Sequence, residues 1–359
     1  MDQARQARTN GFAARRPWGL ARAALLVTAC GGAPGVDPWL DDSGTGGDPA
    51  DLAVGAAPDL TGQAPPDLFG APPADMSPVP LSGNVGPKGG AVSRFLFAIV
   101  GDARPSQCNI STDYPTPVLD SVFTKIKAAG AQFAVDTGDH MFVCQNGTQQ
   151  MATSQMGLFT TAAKNFGRTM FMTLGNHDCV SMNNPNYCAV GGFETVNFKA
   201  FLAANAAASA QPYYSFDVTT QNGVARFVII ADNAWSAAQS TWLNATLTDA
   251  EKSAKYIFII RHHPLDNTDM PDFATITQII RNYKKTMVIT GHSHELRLDT
   301  VNDVTGRTLI VGNGGAPLAL NFKWFGYALV EQLGNGNIQA RFYDQATNNM
   351  MGSTTLSPQ

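Results

Sequence analysis

Residues 95–102 read Phe-Leu-Phe-Ala-Ile-Val-Gly-Asp, an unbroken apolar run that ends in a glycine and an aspartate. Short apolar runs bounded by turn residues are typical of strands buried on both faces. A helical pattern follows over residues 118–129, with apolar side chains at Val118, Val122 and Ile126 and a stop at Gly130. We therefore predict that the folded region opens with a strand and a helix that packs against it.

The same signals continue along the chain and predict an α/β fold. We expect further strands at 132–135, 170–173, 213–218, 224–231, 256–260, 287–290, 307–311, 327–330 and 338–342. We expect helices at 197–208 and 241–248. Strands alternate with helices first and form hairpins later, which indicates two sheets packed against each other with helices outside.

Polar residues cluster where five of these strands end. The clusters contain Asp102, the stretch Asp136 to His140, Asn176-His177-Asp178, His262-His263, and His292 with His294. All six histidines of the chain lie in these clusters. Because ligands bind at the carboxyl ends of strands in open α/β sheets, we expect one shared site. Imidazole, carboxylate and amide groups together suit zinc, iron or manganese better than calcium.

Four short motifs within these clusters carry a resemblance to a known family. They are Gly138-Asp139, Gly175-Asn176-His177-Asp178, His262-His263-Pro264 and Gly291-His292-Ser293-His294. In this order they resemble the calcineurin-like metallophosphoesterase superfamily, which includes the purple acid phosphatases, over about residues 94–311. The resemblance implies a four-layer α/β/β/α fold, that is, a two-sheet β-sandwich flanked by helices.

The resemblance also implies a centre of two metal ions that share one carboxylate. One ion would take Asp102, Asp139 and His294, and the other Asp139, Asn176, His262 and His292. Carboxylate, amide oxygen and imidazole are suitable ligand types for such a centre, whose metals would be iron, zinc or manganese.

The reaction implied is hydrolysis of a phosphomonoester or diester by a hydroxide that bridges the metals, because metal-bound water loses a proton near neutral pH. His177, aligned by Asp178, would assist the phosphate or the leaving oxygen. His263 would lie behind the ligands or face the substrate.

Two positions depart from the superfamily pattern. Many members have Asp-x-His in the first motif, whereas this chain has Asp102-Ala103-Arg104. A protonated arginine cannot bind a cation, so Arg104 either holds a phosphate oxygen or forms a structural salt bridge. Phe142 stands where purple acid phosphatases have a tyrosine, so no iron–tyrosinate colour is expected. His140 either completes the first ligand set or supports it from behind.

The first 30 residues have the pattern of an export signal. Arg15 and Arg16 precede a short apolar stretch over residues 23–29, which is the order found in secretory signals. Residues 26–30, Leu-Val-Thr-Ala-Cys, resemble the lipobox of bacterial lipoproteins. This implies that Cys30 is lipidated and anchors an exported chain to a membrane, periplasmic or at the cell surface. A different export signal and a plain basic leader are the alternatives.

Residues 31–90 are rich in proline, glycine and aspartate. Such a composition cannot bury enough apolar surface to offset chain entropy. We predict a disordered linker here, either a tether or a plain solubilising segment, followed by a metallophosphoesterase domain over residues 91–359.

Four cysteines lie in that domain, Cys108, Cys144, Cys179 and Cys188, and they allow three pairings. Short separation favours Cys179 with Cys188, which leaves Cys108 with Cys144. An oxidising compartment would permit both disulfides. A four-cysteine zinc site is disfavoured because no pair has the spacing of such sites.

The composition disfavours one class of function, nucleic-acid binding. The net charge is −4 and charged residues make up only 14%, so nucleic acid is not an expected partner, since its binding needs a basic surface. We predict an exported metal-dependent phosphoesterase acting on a small phosphoester. The alternative is a non-catalytic surface module that binds metal or a phosphoryl group, because Arg104 could leave the first metal set empty.

Overall fold

The computed structural model describes residues 83–144, 147–179, 188, 196–207, 211–265, 272–299 and 306–358. The predicted leader with Cys30, and the predicted linker up to residue 82, lie outside the described residues. Both therefore stay predictions.

The described residues contain strands throughout and helices mainly in the first two thirds of the domain. The strands are β1 (Gly83–Gly86), β2 (Gly89–Val92), β3 (Leu96–Val100), β4 (Phe133–Asp136), β5 (Met170–Phe171), β6 (Tyr214–Thr220), β7 (Gly223–Ile229), β8 (Tyr256–Ile260), β9 (Met287–Thr290), β10 (Leu296–Asp299), β11 (Thr308–Val311), β12 (Gly326–Gln332), β13 (Ile338–Asp344) and β14 (Met350–Leu356). The helices are α1 (Thr116–Ala128), α2 (Gln149–Ala163), α3 (Val196–Ala204), α4 (Ala237–Ser253) and α5 (Phe273–Asn282).

The strands form two sheets. The larger has eight strands in the order β1-β2-β6-β7-β8-β9-β11-β10, and the smaller has six in the order β14-β13-β12-β3-β4-β5. Parallel pairing joins β7, β8, β9 and β11 in the larger sheet and β3, β4 and β5 in the smaller one. These parallel strands are covered on both faces, which explains why residues 96–100 and 256–260 are apolar at nearly every position.

Helices cover the outer face of each sheet. Helices α1, α2 and α3 pack on the six-stranded sheet through side chains such as Val122, Phe159 and Phe198. Helices α4 and α5 pack on the eight-stranded sheet through Leu243 and Ile280 among others. A third apolar core, rich in phenylalanine, lies between the two sheets. The predicted two-sheet sandwich flanked by helices is confirmed.

The helices α1 and α2 illustrate how local sequence sets the element ends. Pro117 lies in the first turn of α1, where its missing N–H costs no hydrogen bond. Thr148 caps α2, and its hydroxyl accepts a hydrogen bond from Met151 N at 3.2 Å. The helical pattern over residues 118–129 predicts α1, whereas no helix is predicted at the position of α2.

The folded region begins earlier than the predicted boundary at residue 91. Strands β1 and β2 fall at 83–92, partly inside the predicted linker 31–90. Val85 and Val92 are buried in the core between the sheets. A Cβ at Gly89 would lie 2.2 Å from Asp217 O, so glycine lets β2 approach β6 closely. The glycine-rich composition thus serves strand pairing at this edge.

Two disulfides join Cys108 to Cys144 and Cys179 to Cys188, which are the predicted pairs. Such bonds are typical of oxidising compartments. None of the helices in the described residues is both long enough and apolar enough to span a bilayer.

Phe97 tests the contact between the sheets. Its ring packs against Phe133 of the same sheet and against Phe227 and Phe258 of the other, at centroid distances of 5.3, 5.1 and 5.3 Å. We expect Phe97→Ala to lower the free energy of unfolding by about 3–5 kcal/mol, measured by denaturant titration. Leu320→Ala is the control, because Leu320 is 99% exposed and should change stability by less than about 0.5 kcal/mol. Equal effects of the two changes would contradict this assignment of the core.

Candidate functional site

The six predicted metal ligands meet at the carboxyl ends of strands from both sheets. Asp102 follows β3, Asp139 follows β4 and Asn176 follows β5, all in the six-stranded sheet. His262 follows β8, and His292 and His294 follow β9, in the eight-stranded sheet. The site therefore lies where the ends of the two sheets face each other, as the strand-end clusters predict.

The first predicted set consists of Asp102, Asp139 and His294. One ligand atom from each lies within 4.8 Å of the other two. Asp102 Oδ1 lies 3.6 Å from His294 Nε2. Backbone hydrogen bonds from Asp102 N to Gly138 O and from Ala103 N to Asp139 O, each 3.0 Å, hold the two carboxylate-bearing loops together.

The second predicted set joins Asp139 to Asn176, His262 and His292. Asn176 Oδ1 lies 2.8 Å from His262 Nε2 and 3.2 Å from His292 Nδ1. Asp139 Oδ1 lies 3.5 Å from His262 Nε2. His262 Nδ1 is 2.7 Å from Thr137 O, and a carbonyl only accepts, so Nδ1 carries a proton and Nε2 is the nitrogen that faces the set. Asp139 is common to both sets.

Four of the six ligands have a left-handed backbone conformation. Their φ angles are 54° at Asp102, 61° at Asp139, 69° at His292 and 51° at His294. Such conformations cost about 1–3 kcal/mol each and persist only where the surroundings impose them. Here His292 N donates to Asp102 Oδ2 at 3.0 Å, which ties a strained loop of one sheet to a strained loop of the other.

Two motif glycines allow this approach. A Cβ at Gly175 would lie 2.2 Å from Asp139 Oδ1, and a Cβ at Gly291 would lie 2.3 Å from Asp102 Oδ2. Any side chain at either position would displace a carboxylate. The glycines of the motifs are therefore required by the placement of the neighbouring ligands.

The donor set fits metal ions. Burial raises the pKa of the Asp102 and Asp139 carboxyls, since a buried anion is poorly solvated; the charge of Asp139 adds to the rise at Asp102, and the charge of Asp178 adds to the rise at Asp139. Cations bound between the two carboxyls would favour their charged, deprotonated form. The facing groups are carboxylate oxygens, an amide oxygen and imidazole nitrogens, which suit zinc, iron or manganese. Asp139 would bridge, with Asp102 and His294 on one side and Asn176, His262 and His292 on the other.

His140 and Asp178 support the site from behind. His140 Nδ1 lies 3.0 Å from Asp178 Oδ2 and its Nε2 lies 2.9 Å from Asp136 Oδ2, so neither nitrogen faces the ligands. Burial alone would lower the pKa of His140, but the two carboxylates raise it well above its usual value. Of the two predicted roles for His140, the geometry favours support.

Asp178 does not align the His177 ring, contrary to the prediction. Its carboxylate instead accepts hydrogen bonds from the backbone N–H groups of Asp139, His140 and Gly175, at 3.1, 3.0 and 2.9 Å. Asp178 therefore positions the backbone of Asp139, the predicted bridging residue.

His177 lies at the edge of the first set with a nitrogen available. Its Nδ1 is buried and has no hydrogen-bond partner among the residues that the structure describes. Its Nε2 lies 3.9 Å from Asp139 Oδ2, and its ring packs edge-on against Phe142. Burial, together with the charge of Arg104, lowers the pKa of His177 well below its usual value, so the imidazole is neutral.

Arg104 is buried beside the Asp139 carboxylate. Its Nε lies 3.7 Å from Asp139 Oδ2, and Nη1 donates to Pro105 O at 3.2 Å. The guanidinium lies over the Phe142 ring, 4.6 Å from the centroid. One of the two predicted roles, a structural ion pair, is thus present with Asp139.

His263 and Asp232 extend the second set. One ligand atom from each of His262, His263 and His292 lies within 4.8 Å of the others. Asp232 Oδ2 accepts from His263 N and from Arg261 Nε, both at 3.0 Å, and lies 3.4 Å from His263 Nδ1. Asp232 is not among the predicted site residues, although it follows a strand in the same way as Asp102 does.

We expect His140→Gln to separate support from metal binding. The change removes the cation shared by two buried carboxylates, which should lower the free energy of unfolding of the metal-free protein by about 3–5 kcal/mol. The number of metal ions bound should not change, because neither ring nitrogen faces the ligands. Denaturant titration and elemental analysis measure the two quantities. Loss of a bound ion with unchanged stability would show that His140 is a ligand.

Comparisons with known proteins agree with this geometry. A family model described as calcineurin-like phosphoesterase matches residues 97–296, which is more than half of the chain and includes all six predicted ligands. None of the curated protein sequences compared with the chain matches it.

Three solved structures share the fold at low identity, which by itself shows the fold alone. A purple acid phosphatase, PPD1, from seeds of yellow lupin (Lupinus luteus) aligns with a TM-score of 0.56 at 16% identity, over 75% of this chain and 56% of the lupin chain. GAP50, the anchor in the inner membrane complex of Plasmodium, has a TM-score of 0.51 at 15% identity, over 74% and 90% of the two chains. A dimetal phosphatase from Danio rerio has a TM-score of 0.51 at 12% identity, over 74% and 99%. From the extent of the family match, the chain belongs to the calcineurin-like phosphoesterase family.

Proposed function

We propose that this protein hydrolyses phosphoesters at a centre of two metal ions bridged by Asp139. The observation that carries the proposal is the position of that carboxylate, buried between two groups of ligand atoms supplied by the two sheets. When bound, the metal ions would activate a water molecule and offset the negative charge of the phosphoryl group. A phosphomonoester or a diester would serve as the substrate.

The chain's own groups then fix the ligands and face the substrate. Thr137 O holds the His262 tautomer that presents Nε2, and Asp178 holds the Asp139 backbone. His177, whose Nε2 lies 3.9 Å from Asp139 Oδ2, would donate a hydrogen bond to a phosphoryl or leaving oxygen. Arg104 adds a fixed positive charge beside Asp139. His263, held by Asp232, faces the second set and is the remaining candidate for a substrate contact.

We also propose that the protein is exported and tethered to a membrane through a lipid on Cys30. The two disulfides support an oxidising compartment. The basic and apolar leader and the lipobox-like residues before Cys30 support the anchor.

A non-catalytic surface module is the second candidate. Two observations favour it: the buried guanidinium of Arg104 beside the first ligand set, and the likeness to GAP50, described as an anchor in the inner membrane complex of Plasmodium. Such a module would bind metal without hydrolysing any phosphoester, so metal content and turnover must be measured on the same sample.

Asp139→Asn tests the bridging role. The amide keeps the shape but loses the charge that two cations would share. We expect hydrolysis of p-nitrophenyl phosphate by the metal-loaded protein to fall by more than about a hundredfold, beyond the 10–100-fold typical of outer residues. Asp249→Asn is the matched control, since Asp249 is exposed on α4.

Removal of the metal ions with a chelator completes the test of metal-dependent hydrolysis. Metal-free wild-type protein should be inactive, and activity should return when manganese, zinc or iron is added. Bound metal without turnover of monoesters or diesters would favour the module, and turnover by metal-free protein would contradict both candidates.

His177→Asn tests how the imidazole acts. A neutral imidazole is a hydrogen-bond donor rather than an acid, and bound cations would lower its pKa further. We therefore expect a similar loss of kcat/KM, about 10–100-fold, for p-nitrophenyl phosphate and for an alkyl phosphate. The two substrates differ in how much the leaving oxygen needs a proton. A much larger loss with the alkyl phosphate would instead identify His177 as the proton donor.

A further inference from the structure

The two ligand sets are unequal. The second set consists of four side chains, Asp139, Asn176, His262 and His292. The first set consists of three, Asp102, Asp139 and His294. Protein sites that hold a metal firmly commonly supply four ligands. The first set therefore needs an additional group to match the second.

The neighbouring side chains do not supply it. His177 lies at the edge of the first set, with its Nε2 3.9 Å from Asp139 Oδ2, but it is not part of the group whose ligand atoms all lie within 4.8 Å of one another. His140 has both nitrogens at carboxylates. Phe142 is apolar, and its ring faces His177 on one side and the Arg104 guanidinium on another. Among the described His, Cys, Asp and Glu side chains, the group at this end of the site contains only Asp102, Asp139 and His294.

Arg104 places a positive charge beside the first ligand set. Arginine remains protonated in proteins and cannot be a metal ligand. Its Nε is 3.7 Å from the Asp139 oxygen Oδ2, while His262 Nε2 approaches the other oxygen, Oδ1, at 3.5 Å. The side chain is 2% exposed and contacts the Pro105 carbonyl and the Phe142 ring, which hold its guanidinium beside Asp139.

We propose that Arg104 is a built-in counter-ion that makes the metal centre asymmetric. One metal ion binds tightly in the set of Asp139, Asn176, His262 and His292. The set of Asp102, Asp139 and His294 binds its ion much more weakly, because the guanidinium already neutralises the shared carboxylate and repels a second cation. This inference rests on the two ligand sets of the proposed function. Arg104 controls how tightly the first set binds its metal ion.

Zinc titration of metal-free, full-length protein tests it, with a chromophoric chelator as competitor. Wild type should bind one equivalent tightly and a second at least about tenfold more weakly. Arg104→Gln should tighten the second equivalent by about tenfold or more, since charges a few ångströms apart repel strongly even at an effective dielectric constant of about 20. Arg104→Lys keeps the charge and should leave the second equivalent weak. Arg281→Gln is the control, because Arg281 is exposed on α5.

Two results would overturn the proposal: two equivalents of matching affinity in wild type, or an unchanged second affinity in a folded Arg104→Gln variant. Circular dichroism checks the fold, and the wild-type titration decides the matter even where a variant fails to fold. Hydrolysis of p-nitrophenyl phosphate, measured on the same samples, separates this inference from the proposed function. One tight and one weak equivalent without turnover would support the asymmetry and count against catalysis.

Discussion

The buried carboxylate of Asp139 is the constraint on which the site depends. An anion removed from water is costly unless opposite charges or hydrogen-bond donors surround it. Here His177 N donates to Oδ1 at 2.9 Å, His262 approaches the same oxygen, and Arg104 approaches the other. Each of these groups comes from a different loop, so one side chain draws together the ends of β3, β5 and β8. Binding of cations would extend the same compensation.

The sandwich provides the rigidity that this arrangement needs. Left-handed backbone at four ligand positions is tolerable only where neighbouring groups fix it. The fixing groups are themselves buried: Asp178 accepts three backbone N–H groups, and Asp102 accepts the N–H of His292 across the two sheets. The phenylalanine core between the sheets keeps their strand ends at a constant separation. Packing of the core and geometry of the site are therefore linked.

The parts of this fold that sequence predicts are those with a local signal. Apolar runs over 96–100 and 256–260 give buried strands directly, and the polar residues after them fall at one edge of the sandwich. Strands β1 and β2 have no such local signal, because each buries a single valine and β2, which joins β1 to the sheet, pairs with β6, far along the chain. The contacts of Asp178 and Asp232 were missed for a related reason: both carboxylates accept backbone N–H groups whose directions arise only after the loops have folded.

The disulfides bear on the same loops. Cys108 follows the loop of Asp102 and Arg104, and it is bonded to Cys144, which follows the loop of Asp139 and Phe142. This bond links the segment that carries the guanidinium to the segment that carries the carboxylate beside it. A crosslink restricts the unfolded chain and limits how far the joined segments can separate. Since Arg104 and Asp139 attract each other only while both stay buried and close, the covalent link and the ion pair favour the same arrangement. The position of a fixed positive charge beside the predicted metal ligand Asp139 is thus supported by the backbone around it.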